Sequence, residues 1–205
     1  MSILVINSSI RGDDSISREL SLKLSEKLTD KNVVHRDLTK GIDFISSESM
    51  AAVRIPKDDR SAAQSADSTA QLADTLIEEL QVADTIVIGA PVYNFGPPAS
   101  LKAWADLVAR AGTTFQYTEN GPEGLLENKK AYVIAVSGGT KIGSEIDFMS
   151  PWLIHFLGFI GIKNVEIVSA DGVFSQDGEE KIQKARQKVE RSEERRVGKE
   201  GRSRW

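Results

Sequence analysis

Thr85-Ile86-Val87-Ile88-Gly89-Ala90-Pro91-Val92-Tyr93-Asn94-Phe95-Gly96-Pro97-Pro98 is the stretch that decides the fold. Its first four residues show no polar–apolar alternation, the pattern of a strand covered on both faces. The two prolines close the loop, and Ala99–Ala111 reads as a helix, since proline at a helix start forfeits no intrahelical bond. Outward from here the same unit recurs. Ile3–Ile6 and Ala131–Val136 are apolar strands, Val33-Val34 marks a short one, and Val165–Ser169 a fifth. Between them lie helical patterns: Leu20, Leu24 and Leu28 in about Ser17–Thr29; Leu72, Leu76 and Leu80 with Ile77; Asp147–Leu157; Glu179–Glu190. Phe115-Gln116-Tyr117-Thr118 reads as a short extended insertion, and Thr39–Ser65 has no clear pattern. Five strands alternating with helices predict an α/β three-layer sandwich, a parallel sheet of order 2-1-3-4-5 with helices on both faces. Crossovers are expected to be right-handed.

In such a sheet ligands bind outside the carboxyl ends of the strands, near the switch in strand order. Three loops there are informative. After the first strand come Asn7-Ser8-Ser9-Ile10-Arg11-Gly12-Asp13-Asp14-Ser15-Ile16-Ser17. Ser8, Ser9, Ser15 and Ser17 offer hydroxyls, and the loop delivers its amides to a helix N-terminus, which is what a phosphate needs. Capping alone would also explain the serines. The glycines of a dinucleotide or Walker loop are missing. After the third strand, Tyr93 and Phe95 flank Asn94, and a flat heteroaromatic ring needs such faces and edge hydrogen bonds; a packed turn would use the same residues. After the fourth strand, Val136-Ser137-Gly138-Gly139-Thr140 lets the backbone approach a ligand edge, or simply makes a tight turn. Together, a phosphate at the first loop and a ring between the other two describe FMN on a flavodoxin-like sheet.

The composition bounds the alternatives. A length of 205 residues suits one domain with one core, and a formal charge of −4 gives no reason to expect nucleic acid or acidic lipid. There is no cysteine, so disulfides, thiolate catalysis and thiolate metal sites are excluded. His35 and His155 are far apart and read as structural or surface residues rather than ligands or catalysts. The run Ile3–Ile6 is too short for a signal peptide's apolar stretch, and no later stretch is long enough to span a bilayer; a cytoplasmic protein is expected.

Four longer segments carry a family resemblance: Val92-Tyr93-Asn94-Phe95; Leu107-Val108-Ala109-Arg110-Ala111-Gly112; Phe115 through Leu125; and Phe156-Leu157-Gly158-Phe159-Ile160-Gly161-Ile162. These resemble the bacterial FMN-dependent NADH-azoreductases and quinone reductases, once labelled acyl carrier protein phosphodiesterases. The resemblance spans about Met1–Glu190. It implies a homodimer with FMN at the subunit interface and a two-step exchange, in which NADH reduces the flavin and leaves before a quinone or azo compound is reduced. By position it implies that Ser9, Ser15, Ile16 and Ser17 hold the phosphate, that Val92, Tyr93, Asn94 and Phe95 run along the ring, and that Val136, Ser137, Gly138 and Gly139 meet its pyrimidine end. It also implies that Tyr117 and Phe159 lie near the substrate, Phe159 from the other subunit. Arg54, in the patternless stretch that borders the substrate space in the family, is a further candidate; a solvated arginine is the plainer explanation. The chain departs from the family's frequent Ser-Arg-Gly-Gly at Val136-Ser137 and carries Lys141 where a histidine is common.

The rival readings are an FMN-binding electron carrier or redox-sensing module without NADH turnover, a hydrolase and a receiver-type signalling domain. Hydrolysis lacks a metal cluster, a thiol and a Gly-x-Ser-x-Gly elbow. A receiver needs acidic residues where Asn7-Ser8-Ser9 stand. The segment Arg191–Trp205 is dense in arginine without apolar periodicity and is read as a basic tail, resembling a peptide appended by adapter read-through and foreign to the domain of residues 1–190.

Overall fold

The computed structural model describes residues 1–28 and 32–191. Its elements are β1 (Ile3–Asn7), α1 (Ile16–Leu28), β2 (Val33–Asp37), α2 (Met50–Arg54), α3 (Ala62–Ser65), α4 (Ser68–Val82), β3 (Thr85–Pro91), α5 (Ala99–Val108), β4 (Phe115–Thr118), β5 (Gly121–Gly124), β6 (Lys130–Val136), α6 (Met149–Phe159), β7 (Asn164–Ala170) and α7 (Gly178–Arg191). Five strands form one parallel sheet in the order β2-β1-β3-β6-β7. The pleat deals side chains alternately to two cores. Leu4 and Ile6, Ile86 and Ile88, and Val133 face α4, α5 and α6; Ile3 and Val5, Val87, and Ile134 face α1 and α7. Continuous apolar strand runs are therefore what two covered faces require.

Several elements differ from the sequence reading, each for a local reason. The helix expected to reach Ala111 stops at Val108. There the Thr114 hydroxyl donates to the Val108 carbonyl (2.7 Å) and accepts the Arg110 N–H (3.0 Å), taking over the groups a further turn would have used. The helix expected from Asp147 starts at Met149 instead. Asp147 Oδ1 accepts the Met149 and Ser150 N–H groups at 3.1 and 3.0 Å, and its other oxygen takes that of Gly143 at 2.8 Å. Burial would raise this carboxyl, but those N–H donors outweigh it and hold it below the usual range. The patternless stretch holds α2 and α3, which are too short to show periodicity. Of the expected first helix, Thr29 lies outside the described residues, as does the tail beyond Arg191.

Phe115–Thr118 is one arm of a hairpin whose other arm, β5, is Gly121-Pro122-Glu123-Gly124, a composition that does not announce a strand. The hairpin is pinned to the end of α6 by close backbone contacts, beside the packing of the Phe115 ring on that of Phe159. Leu126 N–H donates to the Ile160 carbonyl at 2.9 Å. A Cβ on Gly124 would lie 2.0 Å from the Gly161 nitrogen, and one on Gly161, at φ +104°, would lie 2.8 Å from that of Leu126.

Behind the sheet, α2, α4 and α5 meet at an ionic node. Asp74 accepts Arg60 at 2.7 and 2.9 Å and Arg110 at 2.6 Å, while Arg110 Nε reaches the Val53 carbonyl at 2.8 Å and Arg60 Nε that of Ile55 at 3.1 Å. The two guanidinium side chains are 1% and 2% exposed. Burial alone would raise the Asp74 carboxyl, but hydrogen bonds from Arg60 and Arg110 carry it below its ordinary value.

Candidate functional site

The loops after β1, β3 and β6 converge at the carboxyl edge of the sheet on a cleft of about 780 Å³, the scale of a cofactor site. Ser9, Ser15, Ile16, Ser17, Val92, Tyr93, Asn94, Phe95, Val136, Ser137, Gly138 and Gly139 all line it. The structure thus brings together the three groups of residues that the sequence singled out as separate loops.

At the first loop, Gly12–Asp14 makes a 3-10 turn that leads into α1. Ser15 closes the turn and caps the helix: its Oγ accepts the Arg18 N–H at 3.2 Å and lies 3.1 Å from Ser17 Oγ. Capping and anion binding are compatible here, because the first N–H groups of α1 still lack intrahelical acceptors and sit at the positive end of the helix dipole. Ser8 is used elsewhere, with its hydroxyl donating to the Gly89 carbonyl at 2.7 Å.

The second loop is a tight turn. Tyr93 and Gly96 exchange both backbone hydrogen bonds at 3.0 Å, with Asn94 at φ +49° and Phe95 at φ +71°. Positive φ at both central residues is the type I′ pattern, normally filled by asparagine and glycine. Phenylalanine there costs about 1–2 kcal/mol. Such strain persists where the surroundings impose it, commonly at functional sites. The Phe148 N–H helps, donating to the Phe95 carbonyl at 3.0 Å. The outcome is that Phe95 is 51% exposed beside the cleft and that the Asn94 amide is left open to it. Tyr93 also joins this turn to the first loop: its hydroxyl accepts the Ile10 N–H and lies within hydrogen-bonding range of Ser9 Oγ, both at 3.2 Å.

At the third loop, the Val136 carbonyl accepts the Val92 N–H at 2.8 Å, so the second and third loops are laced together. A Cβ on Gly139 would meet nothing within 4 Å, so that backbone faces open space. A Cβ on Gly138 would lie 2.6 Å from the Phe174 ring, which rests against that glycine. Phe174, Val173, Ile146, Ile10, Arg11 and Asp14 line the cleft too, and the sequence reading did not assign them. The loop after β7 was findable, since it leaves the same edge of the sheet as the other three.

Tyr117, Phe159 and Arg54 do not line the cleft of this chain. Tyr117, 77% exposed on the hairpin, packs edge-on against Phe115 with centroids 5.4 Å apart; the Phe159 and Phe115 ring centroids are 4.5 Å apart. Arg54 is exposed at the end of α2. A second, mostly apolar concavity of about 950 Å³ lies across the Tyr93-Asn94 turn, with Ile42, Pro98, Phe148 and Trp152 among its walls. His35 and His155 are exposed. Among the described residues no acidic or histidine cluster could hold a metal ion, and no helix is long and apolar enough to cross a membrane.

The residues present fit FMN. The first loop offers hydroxyls and free amides, the second an amide and aromatic faces, and the third a backbone with no side chain in the way. Comparison with known proteins agrees. A family model described as flavodoxin-like fold matches residues 1–192. The chain is 57% identical over 192 residues to a protein from Erythrobacter litoralis (strain HTCC2594) named FMN-dependent NADH:quinone oxidoreductase, covering 92% of this chain and 96% of that one. A namesake from Colwellia psychrerythraea (strain 34H / ATCC BAA-681) is 45% identical over 194 residues, covering 93% and 100%. Among solved structures, an FMN-dependent NADH-azoreductase from Bacillus anthracis str. Ames Ancestor in complex with FMN superposes with a TM-score of 0.81 at 25% identity, covering 95% of this chain and 99% of that one. The chain therefore belongs to the flavodoxin-like fold family, in its group of FMN-dependent NADH:quinone oxidoreductases and azoreductases.

Proposed function

We propose that this protein is an FMN-dependent NADH:quinone oxidoreductase that also reduces azo compounds. The observation that carries the reading is the convergence of Ser15–Ser17, Val92–Phe95 and Val136–Gly139 on one cleft. FMN, when bound, supplies the redox chemistry. The protein's part is to bind, orient and polarise. The α1 amides and the hydroxyls of Ser9, Ser15 and Ser17 hold the phosphate. Val92–Phe95 and Val136–Gly139 would flank the ring, and the Asn94 amide and nearby backbone N–H groups would stabilise negative charge at its edge. The exposed Phe95 gives flat substrates a surface to stack on, which positions hydride donor and acceptor at short range. NADH and the acceptor would take turns at that face, in a ping-pong sequence.

The reading extends to a homodimer in a cytoplasmic setting, with residues 1–190 as the working domain. Phe95, Tyr117 and Phe148 are 51%, 77% and 61% exposed, and large bare aromatic side chains suit an interface. A second subunit that covers them brings Tyr117 and Phe159 to the acceptor, with Arg54 at its margin.

The test is a visible spectrum of the protein with FMN, before and after anaerobic NADH and then a quinone. Flavin bands that bleach and return establish the oxidoreductase. Bands that persist after NADH mark a carrier or sensor module.

A further inference from the structure

The cleft mixes charges unfavourably for a phosphate. Asp14 lines it and Asp13 is its neighbour in the same turn. The next cation along the chain, Arg18, is committed to Asp37 at 3.0 Å. Arg11 is the one basic residue among those lining the cleft. Among the described residues its side chain pairs with no carboxylate; its guanidinium lies instead over the Phe174 ring, 5.3 Å from the centroid. Phe174 is 71% exposed, and its ring rests against Gly138, where any side chain would collide with it. Arg11 from the loop after β1 and Phe174 from the loop after β7 therefore meet across the cleft. A guanidinium on an exposed ring is weakly held, whereas one on a phosphate forms paired, charge-assisted hydrogen bonds. A bound dianion outbids the ring.

We infer that Arg11 is the residue that reads the charge of the ligand's phosphate, so that this protein selects a phosphorylated flavin over an unphosphorylated one, with Phe174 holding the guanidinium over the cleft until the phosphate arrives. The hydroxyls and amides of the first loop recognise the shape of a phosphate but bring no full charge, and Asp14 opposes it; Arg11 supplies the balance. The inference rests on the FMN reading above and adds to it the source of selectivity.

The experiment is a fluorescence titration with FMN and with riboflavin, at low and high ionic strength, on the wild-type protein, Arg11→Gln, Arg11→Lys and Phe174→Ala. For Arg11→Gln, FMN affinity is expected to fall about tenfold or more, the loss of one charge-assisted pair. Riboflavin affinity stays unchanged, and the salt dependence of FMN binding flattens. Arg11→Lys keeps the charge but not the fork and recovers part of the loss. Phe174→Ala keeps the preference for FMN. An equal loss of both flavins in Arg11→Gln, or no loss, overturns the inference, as does loss of the preference in Phe174→Ala. Wild-type protein that binds neither flavin refutes the FMN reading itself, a result distinct from any of these.

Discussion

The ionic node behind the sheet and the cleft at its edge are both polar, and they use polarity in opposite ways. At the node, Asp74 and two guanidiniums direct their hydrogen bonds to one another and to the Val53 and Ile55 carbonyls, with Arg110 Nη2 left buried and unpaired among the described residues. In the cleft, the Asn94 amide, the Arg11 guanidinium and the leading amides of α1 find little or nothing among the described residues. Polar groups that satisfy each other hold a fold together. Polar groups held open in a fixed geometry, at a cost in backbone strain at Phe95, await a ligand.

The sharpest way to break this contrast is at the node. Asp74→Ala leaves two buried guanidiniums without their anion and is expected to cost about 3–5 kcal/mol in urea unfolding. FMN affinity of the protein that remains folded should not change. A mild stability loss, or a selective loss of flavin, would erase the distinction. Asn94→Ala tests the other side. The flavin should stay bound, while stopped-flow reduction by NADH slows roughly tenfold, about 1.4 kcal/mol in the barrier. Stability should fall only by the ~1 kcal/mol of placing alanine at positive φ. Unchanged reduction rates would remove Asn94 from the working site. Tyr93→Phe cuts the hydroxyl tie between the first two loops and is expected to cost about 1 kcal/mol, with a modest weakening of FMN binding.

Acid separates the regions more gently. Hydrogen bonds from Arg186, helped by Lys23, outweigh burial and lower Glu19 from 4.5 to about 2, and those from Arg186 tie α1 to α7. Asp74 is lowered too. A carboxyl whose folded pKa is depressed stabilises the fold above its unfolded pKa, and that contribution fades as pH drops toward the folded one. Urea midpoints should therefore be flat from neutrality to about pH 5 and decline from the unfolded carboxylate range near 4.5 toward 2, with a shallower decline in Glu19→Gln. A decline that begins near neutrality would point to other groups.

The alternation of strands and helices was legible because a doubly covered strand leaves an unbroken apolar run, as in Thr85–Ile88 and Ala131–Val136. The core of the cleft was legible because it sits where three such runs end. What escaped the sequence depends on distant partners. Asp74 reads as an ordinary polar position of an amphipathic helix until Arg60 and Arg110 are placed beside it. Phe174 follows Gly172-Val173 in what looks like a plain turn, and only the packing against Gly138 puts it across the cleft. The short helices α2 and α3 have too few turns to show a period, and β5 is built of glycine, proline and glutamate.

The contact between Gly124 and Gly161 has a consequence for how such a protein can diversify. A side chain at either position collides with the other's backbone or that of Leu126, so neither the hairpin nor the end of α6 can be rebuilt while the other stays as it is. The segment from Phe115 through Ile162 carries Tyr117 at one end and Phe159 at the other. Its two ends are therefore expected to change only together, and a chimera that crosses over between Gly124 and Gly161 and brings a side chain to either position should lose that close fit.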